Sequence, residues 1–276
     1  MRIFAKLLGA GLTASAVVLD WLWCLPPIRP SGHRRAAVGA AEHVRKGIRG
    51  KPMDYPSNKR RIVSWRGRKL SLVPDGPIDP EAFDRAEIRV LHVLKEPTMD
   101  DSVIRCVRTS ILANGTIMAK PCLWKVTARR SYALQQGLPG WTEVKERENL
   151  YGPALASSAV VNLNDSIPPG TGLGTRKRTR TALRTLADVA RWRWPNRKAM
   201  IESLSPTVGI CGGRDAHVVL RMLLGELAED HEGFFVWNGI PFINCYHPGF
   251  RAKKHEEEYA MFRNRCRAAG RWIYGT

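Results

Sequence analysis

Four short apolar runs, each followed by polar residues or glycines, dominate the pattern of this chain. They occupy residues 89–97, 158–164, 207–213 and 242–248. Continuous apolar content over so few residues is typical of strands buried on both faces, as in a parallel sheet covered by helices. Ligands of open α/β sheets bind in the crevice beyond the carboxyl ends of the strands. The pattern therefore predicts one site built from residues far apart in sequence.

Apolar residues recur at helical spacing between these runs. The predicted helices span 101–112, 180–194, 215–227 and 255–272. We expect Pro195 to end the second helix. The inward-facing residues predicted for the third helix are Val218, Val219, Met222, Leu223 and Leu227, and those for the fourth are Tyr259, Phe262 and Cys266. Residues 113–157 give no secure prediction.

The alternation of strands and helices predicts an α/β fold, a three-layer α/β/α sandwich with a mostly parallel central sheet. We assign residues 86–276 to this domain. Residues 28–85 are predicted to be a basic N-terminal extension with one small hairpin that turns at Gly67. Pro74–Pro80 is predicted to be a linker.

A large excess of basic residues changes the expected partner. The chain has 44 Lys and Arg against 25 Asp and Glu, a formal charge of +19. Such an excess favours a polyanion, with DNA or other nucleic acid first and an anionic membrane second. A basic surface that reflects composition alone is the alternative. Six dispersed cysteines without a CxxC pair argue against a zinc ribbon or an iron–sulfur cluster and indicate a reducing compartment.

Residues 1–27 form an apolar leader behind a charged start, Met1–Lys6. The leader is short for a membrane span and resembles a signal or anchor segment, although a mis-called start codon would give the same letters. We predict a cytoplasmic, nucleoid-associated protein. Membrane anchoring or export through this leader is the alternative.

Two polar positions stand at the ends of the first and second runs. Glu96 could orient or activate a water molecule, or it could be a helix-capping or surface carboxylate. Asn162 has both a donor and an acceptor and could read the edge of a planar amide such as a pyrimidine. It could equally satisfy loop backbone, and Asn164 is placed as well as Asn162 for either role.

The loop 170–180 lies between a strand and a helix and combines glycines with basic residues. Its candidates for DNA phosphate contact are Arg176, Lys177, Arg178 and Arg180. A plain solvated loop is the alternative. The spacing matches neither a Walker A loop nor a dinucleotide-binding loop.

His247 follows the fourth run and precedes Pro248, which stiffens the turn. An imidazole held in this way could donate to an oxygen that gains negative charge as a bond breaks. A core histidine with satisfied hydrogen bonds is the alternative. Zinc binding by Cys245, His247 and His255 would fit no standard closed site, so we predict no metal.

Taken in order, the runs resemble the motifs of the uracil-DNA glycosylase superfamily. The matching segments are Glu96-Pro97, Val160-Val-Asn162, Ile210-Cys-Gly-Gly213 and Tyr246-His-Pro-Gly249. The resemblance covers about two thirds of the chain, residues 86–276.

This resemblance implies hydrolysis of the N-glycosidic bond of a damaged or deaminated base in DNA, with uracil first. It implies that Asn162 reads the base, that Glu96 positions water or stabilises the cationic sugar, and that His247 stabilises the departing base anion. Asn164, Gly212 and Gly213 would complete the substrate site. We expect a monomer without metal or organic cofactor. A catalytically inactive nucleic-acid-binding protein of the same fold and a membrane-tethered basic protein are the alternatives.

Overall fold

The computed structural model describes residues 61–65, 68–72, 75–95, 122–164, 166–167, 183–248 and 254–275. These residues belong to one unit, Gly50–Thr276. Its strands are β1 (Arg61–Trp65), β2 (Arg68–Leu72), β3 (Gly76–Pro77), β4 (Val90–Leu94), β5 (Ser158–Asn162), β6 (Ser166–Ile167), β7 (Val208–Gly212), β8 (Ala228–His231), β9 (Phe234–Trp237) and β10 (Ile240–Cys245). Its helices are α1 (Pro80–Arg85), α2 (Cys122–Gln135), α3 (Trp141–Glu146), α4 (Tyr151–Ala156), α5 (Leu183–Leu204), α6 (Arg214–Leu224), α7 (His255–Ala268) and α8 (Gly270–Ile273). Short 3₁₀ turns span Glu148–Leu150 and Gly225–Leu227.

The fold is α/β, and its centre is a seven-stranded sheet in the order β3-β5-β4-β7-β10-β9-β8. The four apolar runs of the sequence form β4, β5, β7 and β10, which are parallel neighbours as predicted. β3 at one edge and the β9–β8 pair at the other are antiparallel. The sheet is therefore mixed rather than mostly parallel.

Tight turns explain the antiparallel edge that sequence analysis missed. β9 and β10 are joined by Asn238-Gly239, whose φ angles are 50° and 76°. Asn-Gly between apolar runs is a strong hairpin signal because both residues tolerate positive φ. β8 and β9 are joined at Gly233, with a φ of 81°.

A second sheet contains the strands β1-β2-β6. β1 and β2 pair antiparallel, with Trp65 opposite Arg68, which confirms the predicted hairpin. The predicted linker is wrong from Asp75 onward, because β3 pairs with β5 and α1 follows directly. Asp79 begins α1 by accepting hydrogen bonds from the backbone of Glu81 and Ala82, and a capped start of this kind stabilises even a short helix.

Alternating strand residues divide the core into two clusters. Val90, Val160 and Ile243 pack with side chains from α2, α3, α4, α7 and α8. Leu91 and Val161 pack with side chains from α1, α5 and α6. The period-two alternation of side chains along a strand sends neighbouring residues to opposite faces, so each face of the sheet has its own apolar cluster.

The predicted end of the second helix is wrong. Pro195 lies inside α5, which continues to Leu204. A proline inside a helix removes one backbone hydrogen bond, but the last turns of α5 bury Ile201 and Leu204 completely or nearly so. Core packing of these turns outweighs the lost bond.

The predicted inward face of the third helix is also wrong in part. Within α6 the buried residues are Ala216, Val219, Leu220 and Leu224. Val218, Met222 and Leu227, which were predicted to face inward, are instead exposed by 41%, 45% and 66%, and Leu227 lies in the 3₁₀ turn after α6. Apolar residues occupy several sides of this helix, so spacing alone does not choose the buried face.

The fourth helix, α7, buries Tyr259, Phe262 and Cys266 as predicted, whereas the predicted helix 101–112 lies outside the described residues. In the part of the chain that the structure describes, no helix has both the length and the apolar content needed to cross a membrane.

Gly209 leaves room for the ring of Phe242 on the neighbouring strand. A methyl group at Gly209 would lie 2.3 Å from Phe242 Cδ1. Phe242 is fully buried and stacks on Phe235 with ring centroids 5.2 Å apart.

We expect Gly209→Ala to lower the free energy of unfolding by about 1–3 kcal/mol, measured by urea denaturation, because the core must shift to admit the methyl group. Gly140→Ala, where the added methyl meets no atom within 4 Å, is the control; equal stability of the two variants would contradict the prediction.

Candidate active site at the carboxyl ends of the parallel strands

The carboxyl ends of β5, β4, β7 and β10 lie side by side in that order. Asn162 ends β5, and His247 follows β10 by two residues. Three strand spacings separate the outer two strands, about 14 Å. Both residues therefore stand on one edge of the sheet, where the crevice of an open α/β fold is found.

Asn162 is held by a buried carboxylate at this edge. Its side-chain Nδ2 donates to Asp75 Oδ1 at 2.6 Å, and its backbone N–H donates to Asp75 Oδ2 at 2.9 Å. Arg197 Nη1 forms an ion pair with Asp75 Oδ2 at 2.9 Å. All three side chains are almost completely buried. The Asn162 amide is thus fixed in place by charge-assisted hydrogen bonds, which are stronger than neutral ones.

The remaining polar atom of this amide has a different environment. Asn162 Oδ1 is buried and finds no hydrogen-bond donor among the described residues. Buried acceptors normally have a partner. This oxygen could accept a hydrogen bond from a ligand.

Asn164, the competing asparagine, is also buried. Its backbone N–H donates to the Lys95 carbonyl at 2.9 Å, which extends the pairing of β4 and β5 past the strand ends. Lys95 Nζ in turn contacts Asp215 Oδ2 at 2.9 Å, in the first turn of α6. Lys95 therefore ties the end of β4 to the start of α6.

The glycine pair joins β7 to α6. Gly212 is buried beside Leu94 and Pro248. Gly213 has a φ of 114°, a conformation that other residues rarely adopt, and its N–H donates to the Cys245 carbonyl at 3.0 Å. A Cβ at Gly213 would lie 3.4 Å from His247 Cβ. The turn at Gly213 therefore lies directly against His247.

His247 is exposed, which places its imidazole at the surface of the edge rather than in the core. The backbone before His247 is held by a hydrogen bond, because Arg130 Nη2 donates to the Tyr246 carbonyl at 2.7 Å. Arg130 itself is ion-paired with Glu258 of α7, and Arg129 Nη2 contacts the other oxygen of Glu258 at 3.1 Å. A buried ion-pair cluster on α2 and α7 thus supports the turn that carries His247.

A buried histidine, His92, lies in the body of β4 and not at the edge. Nε2 of His92 lies 2.8 Å from Ser131 Oγ, which also contacts Ser158 Oγ at 2.9 Å. Burial, aided by the positive charge of Arg130, lowers the pKa of His92 to about 3. His92 is therefore neutral at neutral pH, and its place within the core gives it a structural role.

The other predicted site residues lie outside the described residues. These are Glu96, Arg176, Lys177, Arg178 and Arg180. Where the chain is described, no group of three or more His, Cys, Asp or Glu side chains could hold a metal ion.

Four buried residues that support the edge were not predicted from the sequence: Asp75, Arg197, Arg130 and Glu258. Asp75 lies in the segment taken for a linker, and Arg197 follows the proline taken for a helix end. An Arg-Arg pair followed by Ser131 within an apolar segment was the signal available for Arg130. A charged residue inside an apolar helix is seldom buried unless it is paired.

The edge thus presents a fixed amide oxygen near one end and an exposed imidazole near the other. Between them lie a backbone turn and the start of a helix, where N–H groups favour negative charge. Comparison with known proteins finds no match for this chain, neither among protein-family models nor among curated protein sequences. The chemistry of the site therefore follows from its own residues.

Proposed function

We propose that this chain is a DNA N-glycosylase that hydrolyses the bond between deoxyribose and a deaminated base, with uracil as the first candidate. The observation that carries the proposal is the shared position of Asn162 and His247 at the ends of the outer strands of one parallel set. A shared sheet edge is what the resemblance to uracil-DNA glycosylases requires of these two residues.

The core arrangement supports the finer fold assignment. Each face of the seven-stranded sheet has its own apolar cluster with its own helices. Two helical layers around one sheet are what a three-layer α/β/α sandwich requires. We propose this architecture for residues 86–276, together with β3 and α1 before them.

In the proposed reaction the nucleotide leaves the base stack and enters the crevice, at a cost of a few kcal/mol that contacts with the bound base must offset. Asn162 reads the edge of the base. Glu96 positions the attacking water or stabilises the positive sugar. His247 donates to the base oxygen that becomes negative as the glycosidic bond breaks. No metal takes part in this scheme.

Charge on α5 supports DNA as the partner. Arg184, Arg191 and Lys198 follow one another at intervals of seven residues, which places them along one side of the helix. Arg184 and Arg191 are exposed. A row of positive charges can follow a phosphate backbone. It equally suits a nucleic-acid-binding protein without catalysis, which is the second candidate. For either function we propose a cytoplasmic protein.

The deciding experiment measures base release from oligonucleotides that each carry one altered base. The panel includes uracil, hypoxanthine and an unmodified control, in single and double strands. We expect free uracil to be released from the uracil substrate and none from the control. Salt-sensitive binding to every oligonucleotide without release of any base would instead select the non-catalytic binding protein.

DNA affinity should fall steeply with salt concentration. Each phosphate that Lys or Arg neutralises releases condensed counterions, so about six contacts would give a log–log slope of about −5. Fluorescence anisotropy over a range of salt concentrations measures this slope. Arg184→Gln combined with Arg191→Gln should make it shallower by one to two, roughly. Lys145→Gln is the matched control, because Lys145 is exposed on α3, which packs on the other face of the sheet from α5. Affinity independent of salt would refute the electrostatic account.

A further inference from the structure

The contact between Asn162 and Asp75 determines which way the Asn162 amide points. An ionised carboxylate carries no hydrogen and can only accept. The amide atom 2.6 Å from Asp75 Oδ1 must therefore be Nδ2 and not Oδ1. Arg197 stabilises the negative charge of Asp75 at 2.9 Å. The orientation of the amide thus follows from charge and not from shape alone.

Because Nδ2 faces Asp75, the other polar atom of the amide, Asn162 Oδ1, must face a different group. Asn162 Oδ1 is turned away from Asp75, is buried, and has no hydrogen-bond donor among the described residues. Asp75 accepts one of the two Nδ2 hydrogens, so the rest of the amide offers one acceptor and at most one donor. Its complement is a ring edge with an N–H beside a carbonyl.

We propose that Asp75, held by Arg197, is a positioning residue that locks the Asn162 amide with its oxygen toward the ligand. The locked amide selects rings that carry a lactam N–H and rejects rings with a bare ring nitrogen at that place. Uracil and hypoxanthine carry the N–H. Cytosine and adenine, from which they arise by deamination, carry the bare nitrogen. This inference rests on the proposed function for the kind of ligand and assigns its selectivity to a buried pair of residues behind the reading side chain.

The lock matters because an unrestrained amide is not selective. Rotation by 180° exchanges its oxygen and its NH₂ group and would let Asn162 pair with cytosine as well as with uracil. In the structure, rotation would turn Oδ1 toward the carboxylate of Asp75 and break the bond from Nδ2. Two acceptors would then face each other in a buried place, which is costly.

The test compares wild type with Asp75→Asn. The probes are oligodeoxyadenosines with one central deoxyuridine or one central deoxycytidine, and both affinity and base release are measured. We expect wild type to prefer the deoxyuridine probe by roughly 100-fold, because the deoxycytidine probe leaves Asn162 Oδ1 opposite a second acceptor. In Asp75→Asn the new amide can donate or accept, so the preference should fall below about 10-fold.

Controls separate selectivity from stability. Leu204→Ala removes a buried side chain from the same helix as Arg197 and leaves the hydrogen bonds and ion pair of Asp75 in place, so it should keep the full preference at lower stability. If Asp75→Asn does not fold, the double variant Asp75→Asn with Arg197→Met removes both charges together and takes its place. Slow solvent exchange of the Asn162 side-chain amide hydrogens, followed by NMR in wild type, supports the lock; rapid exchange overturns it.

The outcomes distinguish this inference from the proposed function. Preferential binding of the deoxyuridine probe without base release rejects the glycosylase and supports the lock. Base release that is equal for both probes, or a preference that Asp75→Asn leaves intact, overturns the lock while the glycosylase stands. Binding of neither probe by wild type overturns both.

Discussion

Replacement of His247 with alanine should lower single-turnover release of uracil by roughly 10²-fold, about 2.7 kcal/mol, by analogy with loss of one oxyanion donor. His247 is exposed at the sheet edge, so truncation removes little core packing. If the imidazole acts only as the bond breaks, its contribution belongs to the transition state and leaves ground-state binding unchanged. Affinity for a uracil oligonucleotide and the melting temperature should therefore stay close to wild type.

His255→Ala is the matched control, because His255 is also exposed but is the first residue of α7 and does not follow a strand of the parallel set. Base release, DNA binding and melting are measured on the same preparations. Full activity in His247→Ala would eliminate the catalytic role. Lost activity together with a lower melting temperature would indicate that His247 supports the turn rather than the reaction.

The second large effect concerns acid stability. The pKa of His92 is about 3 in the folded protein because of burial and the nearby charge of Arg130, against an ordinary value of about 6.5 in the unfolded chain. Between these values the unfolded state binds a proton that the folded state does not, so stability is fully present above about pH 6.5 and falls as pH decreases toward 3. The loss approaches 1.4 kcal/mol per pH unit, roughly, and amounts to several kcal/mol over the window.

Urea denaturation between pH 7 and pH 4, roughly the upper part of that window, measures this effect. We expect His92→Gln to give a flatter curve than wild type, whatever its stability at neutral pH, because glutamine does not titrate. The pKa of His217 is lowered to about 4, chiefly by burial, and this adds to the loss of stability in the same direction. The double variant His92→Gln with His217→Gln should therefore show an even weaker dependence of stability on pH. His255→Gln is the control. If the free energy of unfolding changed with pH equally in wild type and in His92→Gln, the lowered pKa of His92 would be contradicted.

The parallel strands could be predicted from the sequence because each is a continuous apolar run with a clear end. Their shared carboxyl edge follows from the same pattern, whereas their order in the sheet does not, because apolar runs do not determine which strands become neighbours. Pro195 misled the prediction of α5, because local propensity says nothing about the packing of Ile201 and Leu204 beyond it. The face of α6 could not be chosen from spacing, since Val218 and Met222 are as apolar as the residues that became buried.

Of the candidate site, only the residues that directly follow the apolar runs could be predicted from the sequence. Asn162 and His247 follow apolar runs, and that position can be recognised in the sequence. Asp75 could not be recognised, because its role depends on a contact with a residue 87 positions away. Arg130 likewise acts on the backbone of Tyr246 across 116 positions. Periodicity describes neighbours on one element and carries no information about such distant pairs.

The ion-pair cluster of Arg129, Arg130 and Glu258 also has a consequence for how the chain folds. Its two guanidinium groups and its carboxylate come from segments 128 and 129 positions apart. Burying either sign alone would be strongly unfavourable, so α2 can settle into the core only together with α7. Contacts over such long separations slow folding. Because Arg130 holds the Tyr246 carbonyl, we expect the turn before His247 to become fixed only once both helices have packed on the sheet.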